Sequence, residues 1–157
     1  MKQFPLLLAI GLLTFPKAYA QIIKVNPAST SCALYERMDI DVELKGEWAN
    51  PYRQEEARLD MIVTVPNGKN SVVPAFFVEG ESGKPSHWAV RYTPQTTGQH
   101  TYLLCYTQPG MESVSQSYKL NVSEGNGHGF LHTADNWTLR YDDGTPFRGI
   151  GENICWE

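Results

Sequence analysis

The chain has 157 residues, 41% of them hydrophobic and 19% charged, with 13 glycines, 10 prolines and four tryptophans. That length fits one domain and the beginning of a second. The apolar content is enough for a core, which excludes a disordered or collagen-like chain. A formal net charge of −4, with no long run of Lys and Arg, leaves counterion-driven binding to nucleic acid or to an anionic membrane surface without a source.

Residues 1–20 read as an address. Lys2 opens the segment, Phe4 to Phe15 is almost wholly apolar, and Ala18-Tyr19-Ala20 forms an A-x-A site, so a secretory signal with cleavage before Gln21 is predicted. The run is shorter than the ~20 apolar residues that a bilayer span needs, and Pro5 and Pro16 argue against the alternative of an N-terminal core helix. No cysteine stands at the cleavage site to carry a lipid. Removing Lys2 and Lys17 leaves 11 basic against 17 acidic residues, a net of −6. The expected mature protein is exported without a membrane span, into the periplasm, onto the cell surface or outside the cell.

Export puts Cys32, Cys105 and Cys155 where disulfides can form. Three is an odd number, and the spacings match no zinc signature. Cys32 and Cys105 could meet across two sheets as a disulfide; the alternative makes Cys105 a buried small hydrophobe.

The mature chain reads as strands. Met38, Ile40, Val42 and Leu44 alternate with Asp39, Asp41 and Glu43, the period of a half-buried strand. Residues 57–65 repeat the pattern, and Pro66-Asn67-Gly68-Lys69 is a tight turn. Val72 to Val78 follows as one strand, with Pro74 marking an edge or a bulge. Trp88, Val90 and Tyr92 alternate next. In the strand after that, Tyr102, Leu104 and Tyr106 face one way and Leu103 and Cys105 the other. Val114, Tyr118, Leu120 and Val122 alternate with Ser115, Ser117, Lys119 and Asn121. Six or seven short strands in about 90 residues predict an immunoglobulin-like β-sandwich over residues 21–123. Residues 94–102 look like its crossover corner, tied down by Tyr102.

Residues 124–130, Glu-Gly-Asn-Gly-His-Gly-Phe, form a glycine-rich linker. Beyond it, 137–141 reads as a strand, Asp142 to Thr145 as a turn and 146–148 as the return, before the apolar 149–156. An isolated hairpin cannot bury itself, so residues 131–157 are expected to begin a larger unit.

Tyr141-Asp142-Asp143-Gly144-Thr145-Pro146-Phe147, followed by Gly151-Glu152-Asn153-Ile154-Cys155-Trp156, resembles the entry to the (β/α)₈ barrel of secreted bacterial glycoside hydrolases. The upstream segment resembles the small sandwich domain of uncharacterised function that precedes such barrels. It does so through Gly46-Glu47-Trp48-Ala49-Asn50-Pro51-Tyr52, Trp88 to Pro94 and Thr97 to Tyr102, with His100 standing where an aromatic residue is expected. The resemblance implies a non-catalytic accessory sandwich plus the first strand of a truncated barrel. The parent enzyme would degrade polysaccharide, and the barrel would be this chain's partner in cis. Glycoside hydrolysis needs two carboxylates about 5–9.5 Å apart on a barrel of about 250 residues. Fewer than 30 residues follow the linker, so catalysis by this chain alone is not expected.

By the same resemblance Asn153 and Trp156 lie where a first barrel strand reaches the active-site face and could line a sugar subsite; Trp156 could equally pack between strand and helix. Trp48, Asn50, Pro51 and Tyr52 make an aromatic loop that could stack on sugar rings, or could cap the sandwich or dock on the barrel. His128 and His132 are four apart but no helix sets them on one face, so no metal and no cofactor is called for. Asn121 and Asn136 fit the N-glycosylation pattern, which matters only in a eukaryotic secretory host. A free-standing carbohydrate-binding or adhesion module is the alternative function.

Overall fold

The computed structural model describes residues 20–135, 137–149 and 151. Residues 1–19 of the expected signal segment 1–20, most of the expected first barrel strand, Asn153, Trp156 and Cys155 lie outside the described residues.

Every regular element among the described residues is a β-strand, and two sheets pack face to face. One has the order β1 (Gln21–Pro27), β3 (Met38–Lys45), β7 (Pro85–Tyr92), β6 (Phe76–Gly80). The other runs β2 (Ser31–Ala33), β10 (Tyr118–Ser123), β8 (Gly98–Gln108), β4 (Arg58–Thr64), β5 (Asn70–Pro74), with β9 (Met111–Val114) beside the far end of β8. In chain order β1, β3, β7 and β6 are the A, B, E and D strands of an immunoglobulin-like sandwich, and β10, β8, β4 and β5 are G, F, C and C′. All pairings are antiparallel except that of β2 with β10.

The alternating residues fill the space between the sheets. Met38, Ile40, Val42 and Leu44 meet Leu59, Met61, Val63, Tyr102, Leu104, Tyr106 and Leu120, all buried. This is the face assignment that period two dictates, because successive side chains leave a strand on opposite sides.

Two local readings are corrected. The single strand over 72–78 is two strands in different sheets: β5 ends at Pro74, Ala75 donates its N–H to the Leu59 carbonyl, and β6 starts at Phe76. Each is an edge strand, so the proline that cannot donate to a ladder marks the crossing between layers. Val114 does not join the inward row. The strand breaks at 115–117, where the Ser115 hydroxyl accepts the Leu104 N–H and donates to the Gln116 carbonyl, and Val114 is exposed. A strand that the sequence reading left out is β1, whose register shifts between Ile22 and Lys24 and puts its apolar residues out of phase.

Cys32 and Cys105 are both free, half-buried and in the same sheet. Cys32 is opposite Val122, Val122 opposite Gly98, and Cys105 is seven residues further along β8. That separation is on the order of 20 Å, far beyond the ~7 Å limit between bridged Cα atoms, so this fold does not permit the disulfide. Nor is Cys105 a core residue, since it lies on the face opposite Tyr102, Leu104 and Tyr106.

The corner between β7 and β8 is held by His100 rather than by Tyr102. Tyr102 stacks on Tyr118, centroids 5.4 Å apart. The wholly buried His100 ring reaches the Thr96 carbonyl through Nε2 at 2.9 Å and the Tyr92 hydroxyl through Nδ1 at 3.0 Å.

After β10 the chain runs through 124–130 into a separate three-stranded sheet, β11 (Leu131–Thr133), β12 (Leu139–Tyr141) and β13 (Pro146–Phe147). Its register sets Leu131, Leu139, Tyr141 and Phe147 on one face, and Leu131, Leu139 and Phe147 are exposed there.

Candidate functional site

The loop 46–57, between β3 and β4, is built around one carboxylate. Glu56 accepts the N–H groups of Ala49 and Asn50 on a single oxygen, both at 2.8 Å, and its other oxygen meets Arg53 Nη1 at 3.2 Å. These bonds, the Asn50 amide foremost, hold its pKa below the usual carboxylate range. Asn50 in turn accepts the Tyr52 N–H on its side-chain oxygen at 2.9 Å, an Asx turn. Trp48 is anchored through its own N–H, which donates to the Ser82 hydroxyl at 2.9 Å.

This scaffold aims the aromatic rings. Trp48 is half-buried, edge-on to Phe77 and Trp88 at centroid distances of 6.1 and 6.0 Å. Phe77 also meets Trp88 at 5.5 Å and Tyr52 at 5.6 Å, the latter at 89°. Trp88 continues inward to Tyr106, and its indole N–H is satisfied by the Ser86 hydroxyl at 3.1 Å. Edge-to-face pairs of this kind are favoured by the ring quadrupole. The rings thus run from the core outward to Tyr52, which is 74% exposed. Beside it opens a cleft of about 130 Å³ between Pro51, Tyr52, Arg58, Pro74, Phe76 and Phe77.

Trp48, Asn50 and Tyr52 are therefore together, as the sequence pattern suggests, but their roles differ. Trp48 caps the end of the sandwich, Asn50 spends its carbonyl oxygen on the turn, and only Tyr52 offers a ring to solvent. Phe77 and Glu56 went unread in the sequence. Phe77 looks like one more strand residue, and its central place depends on β6 lying beside β7. Chemically the cleft offers an apolar wall, a phenol hydroxyl and the Arg58 guanidinium, which is paired with Asp60 at 2.9 Å. Glu56, held ionised by its donors, is not a proton donor at neutral pH.

Of the two histidines in and after the linker, His128 Nδ1 lies 2.7 Å from Asp143 and His132 Nε2 pairs with Asp142. No group of three or more His, Cys, Asp or Glu among the described residues is arranged to hold a metal ion.

Residues 31–106 match the model of a domain of unknown function, DUF5060. No curated protein sequence matches the chain. Among solved structures, the chain is similar to a protein of Bacteroides vulgatus provisionally described as a glycoside hydrolase, with a TM-score of 0.54 and 16% identity over 76% of this chain. It spans only 21% of that protein's length. Weaker likenesses, with TM-scores of 0.44 and 0.41, are to the alkylpurine DNA glycosylase AlkC of Pseudomonas fluorescens and to a CARDB domain from Pyrococcus furiosus. They cover 69% and 71% of this chain, at 12% and 10% identity, and 31% and 100% of those chains. At these identities the likeness concerns the fold: a β-sandwich that also occurs within a much longer protein.

Proposed function

We propose that this chain is the non-catalytic accessory β-sandwich of an exported glycoside hydrolase acting on polysaccharide, which supports a catalytic barrel in the same polypeptide and contributes to substrate contact. The observation that carries this reading is the apolar face of the three-stranded sheet, on which Leu131, Leu139 and Phe147 are exposed among the described residues. Three short strands cannot bury such a face themselves, and a barrel packed on it would. The match to a domain of unknown function and the sandwich shared with part of a longer protein provisionally described as a glycoside hydrolase support the reading.

The test is to read the codons that follow Glu157, express the resulting protein beside the present chain, and assay both for new reducing ends on a polysaccharide panel. Release by the longer protein and none by this chain is the expected result. A stop codon at that point, or hydrolysis by this chain alone, would overturn it.

A second reading, a free-standing carbohydrate-binding or adhesion module, is favoured by one feature: the exposed Tyr52 ring beside the cleft at 51–77. It predicts retention of the isolated chain in polysaccharide-containing gels without any downstream partner.

A further inference from the structure

Gly125, Gly127 and Gly129 recur at period two; the first two face Leu34 and Tyr35, and the third faces Asp142. Each lies close against a neighbour, at Gly125 and Gly129 nearer than a side chain could come and at Gly127 tightly. A Cβ on Gly125 would lie 2.5 Å from the Leu34 carbonyl oxygen. On Gly127 it would lie 3.2 Å from the Cβ of Tyr35. On Gly129 it would lie 2.4 Å from Asp142 Oδ2, and Gly129 also has a φ of +87°.

The walls that the glycines face are themselves fixed. Leu34 donates its N–H to the Ser123 carbonyl, and Tyr35 donates to the Pro94 carbonyl, at 2.9 and 3.0 Å. Tyr35 takes a left-handed φ of 65°, uncommon for a residue with a side chain. That conformation sets its ring edge-on to Phe130, 6.1 Å between centroids. On the other side, Asp142 accepts the Phe130 N–H at 2.8 Å and pairs with His132. Next to it, Asp143 meets His128 at 2.7 Å and returns its own N–H to the His128 carbonyl at 3.3 Å.

We infer that residues 124–130 are a rigid joint rather than a flexible tether: the three glycines are flush-packing positions between Leu34–Tyr35 of the sandwich and Asp142 of the three-stranded sheet, and Tyr35 on one side and Asp142 on the other hold Phe130 between them and so set the two bodies in one orientation. The glycines serve close approach, not freedom of motion. The joint rests on contacts between the sandwich and the small sheet alone, so it stands whether or not the protein degrades polysaccharide. Its consequence is that anything seated on the apolar face of β11–β13 is held at a set angle to the aromatic cleft.

Backbone ¹⁵N relaxation on the full chain tests this. The amides of 125–130 should show order parameters of about 0.8 or more, like those of β8, where a flexible linker shows less than about 0.6. Asp142→Ala and Gly125→Ala, whose added Cβ would meet the Leu34 carbonyl oxygen at 2.5 Å, should lower them into the flexible range while the β8 amides stay rigid. If Asp142→Ala instead collapses the shifts of β11–β13, Tyr35→Gly decides the matter. Glycine accepts the left-handed φ at that position, so only the ring and hydroxyl are lost, and a loosened 125–130 is expected. Flexible amides in the unaltered chain, or a linker that stays rigid in Tyr35→Gly, would overturn the joint.

Discussion

The imidazole of His100 and the hydroxyl of Tyr92 are hydrogen-bonded at 3.0 Å inside the sandwich. Because the Thr96 carbonyl on the other ring nitrogen can only accept, Nε2 carries the proton and Nδ1 accepts from Tyr92. One buried side chain thereby joins the end of β7, the 93–97 corner and the start of β8. A phenylalanine at this position would fill the space but satisfy neither partner. His100→Phe should therefore destabilise the sandwich by about 2–4 kcal/mol, the cost of orphaning a buried hydroxyl and a carbonyl. Urea unfolding read by tryptophan fluorescence measures it, and a loss below about 1 kcal/mol would mean that the corner does not depend on this ring.

Gly46 lies under Tyr106: a Cβ there would come 2.2 Å from the Tyr106 hydroxyl. That hydroxyl donates to Gln108 Oε1 at 3.2 Å, and Gln108 Oε1 also accepts the Glu47 N–H at 3.1 Å. Gly46→Ala has to displace a fully buried ring and its network, so overpacking should cost about 1–3 kcal/mol. Thermal unfolding of the variant beside Gly83→Ala, which meets nothing within 4 Å but has a φ of +77°, separates crowding from backbone strain.

The two exposed-loop aromatics should divide in their effects. Trp48→Ala removes edge-on contacts with Phe77 and Trp88 and is expected to cost about 2–3 kcal/mol of stability. Tyr52→Ala removes a ring that is 74% exposed and has Phe77 as its aromatic neighbour, and should stay within about 0.5 kcal/mol. If polysaccharide stacks at this cleft, Tyr52→Ala abolishes retention in affinity electrophoresis while melting normally. Unchanged mobility in Tyr52→Ala would remove the site.

Acid should open the joint before it melts the sandwich. His128 and the Thr145 amide hold the Asp143 carboxyl down at about 2, and the Phe130 amide and His132 hold Asp142 below its ordinary value. A depressed folded-state pKa contributes stability that is present above the unfolded value near 3.8 and is lost as pH falls towards the folded value. The three-stranded sheet should thus keep its contacts at pH 5 and lose them between about pH 4 and 2. Two-dimensional NMR through that range checks it: the β11–β13 shifts should move while those of β3 and β8 hold.

Non-reducing peptide mapping should return Cys32 and Cys105 in separate peptides, since one sheet carries both, far apart. A linked pair would require a different strand order.

Much of the sandwich was legible because period two is a local property. Met38 to Leu44 and Tyr102 to Tyr106 show their buried faces without reference to any partner. The Asn67-Gly68 turn was legible for the same reason, with the positive φ at Gly68 alone. The sheet to which a residue belongs is not local. Ala75 marks a crossing between layers only because Leu59 is there to accept its N–H, and Val72 and Phe77 look alike until they are assigned to opposite sheets.

The candidate site was half legible. The sequence determined that Trp48, Asn50 and Tyr52 share a loop, and that a glycine-rich stretch follows the last strand of the sandwich. Only the tertiary structure decided which of those aromatics faces water, because that depends on Phe77 and Trp88, some 30–40 residues away. Only it decided that the glycines at 125, 127 and 129 are points of contact. A missing side chain in the sequence permits either loose motion or close approach, and the difference lies in whether a wall stands within van der Waals reach. Leu34, Tyr35 and Asp142 supply that wall from both sides of the linker.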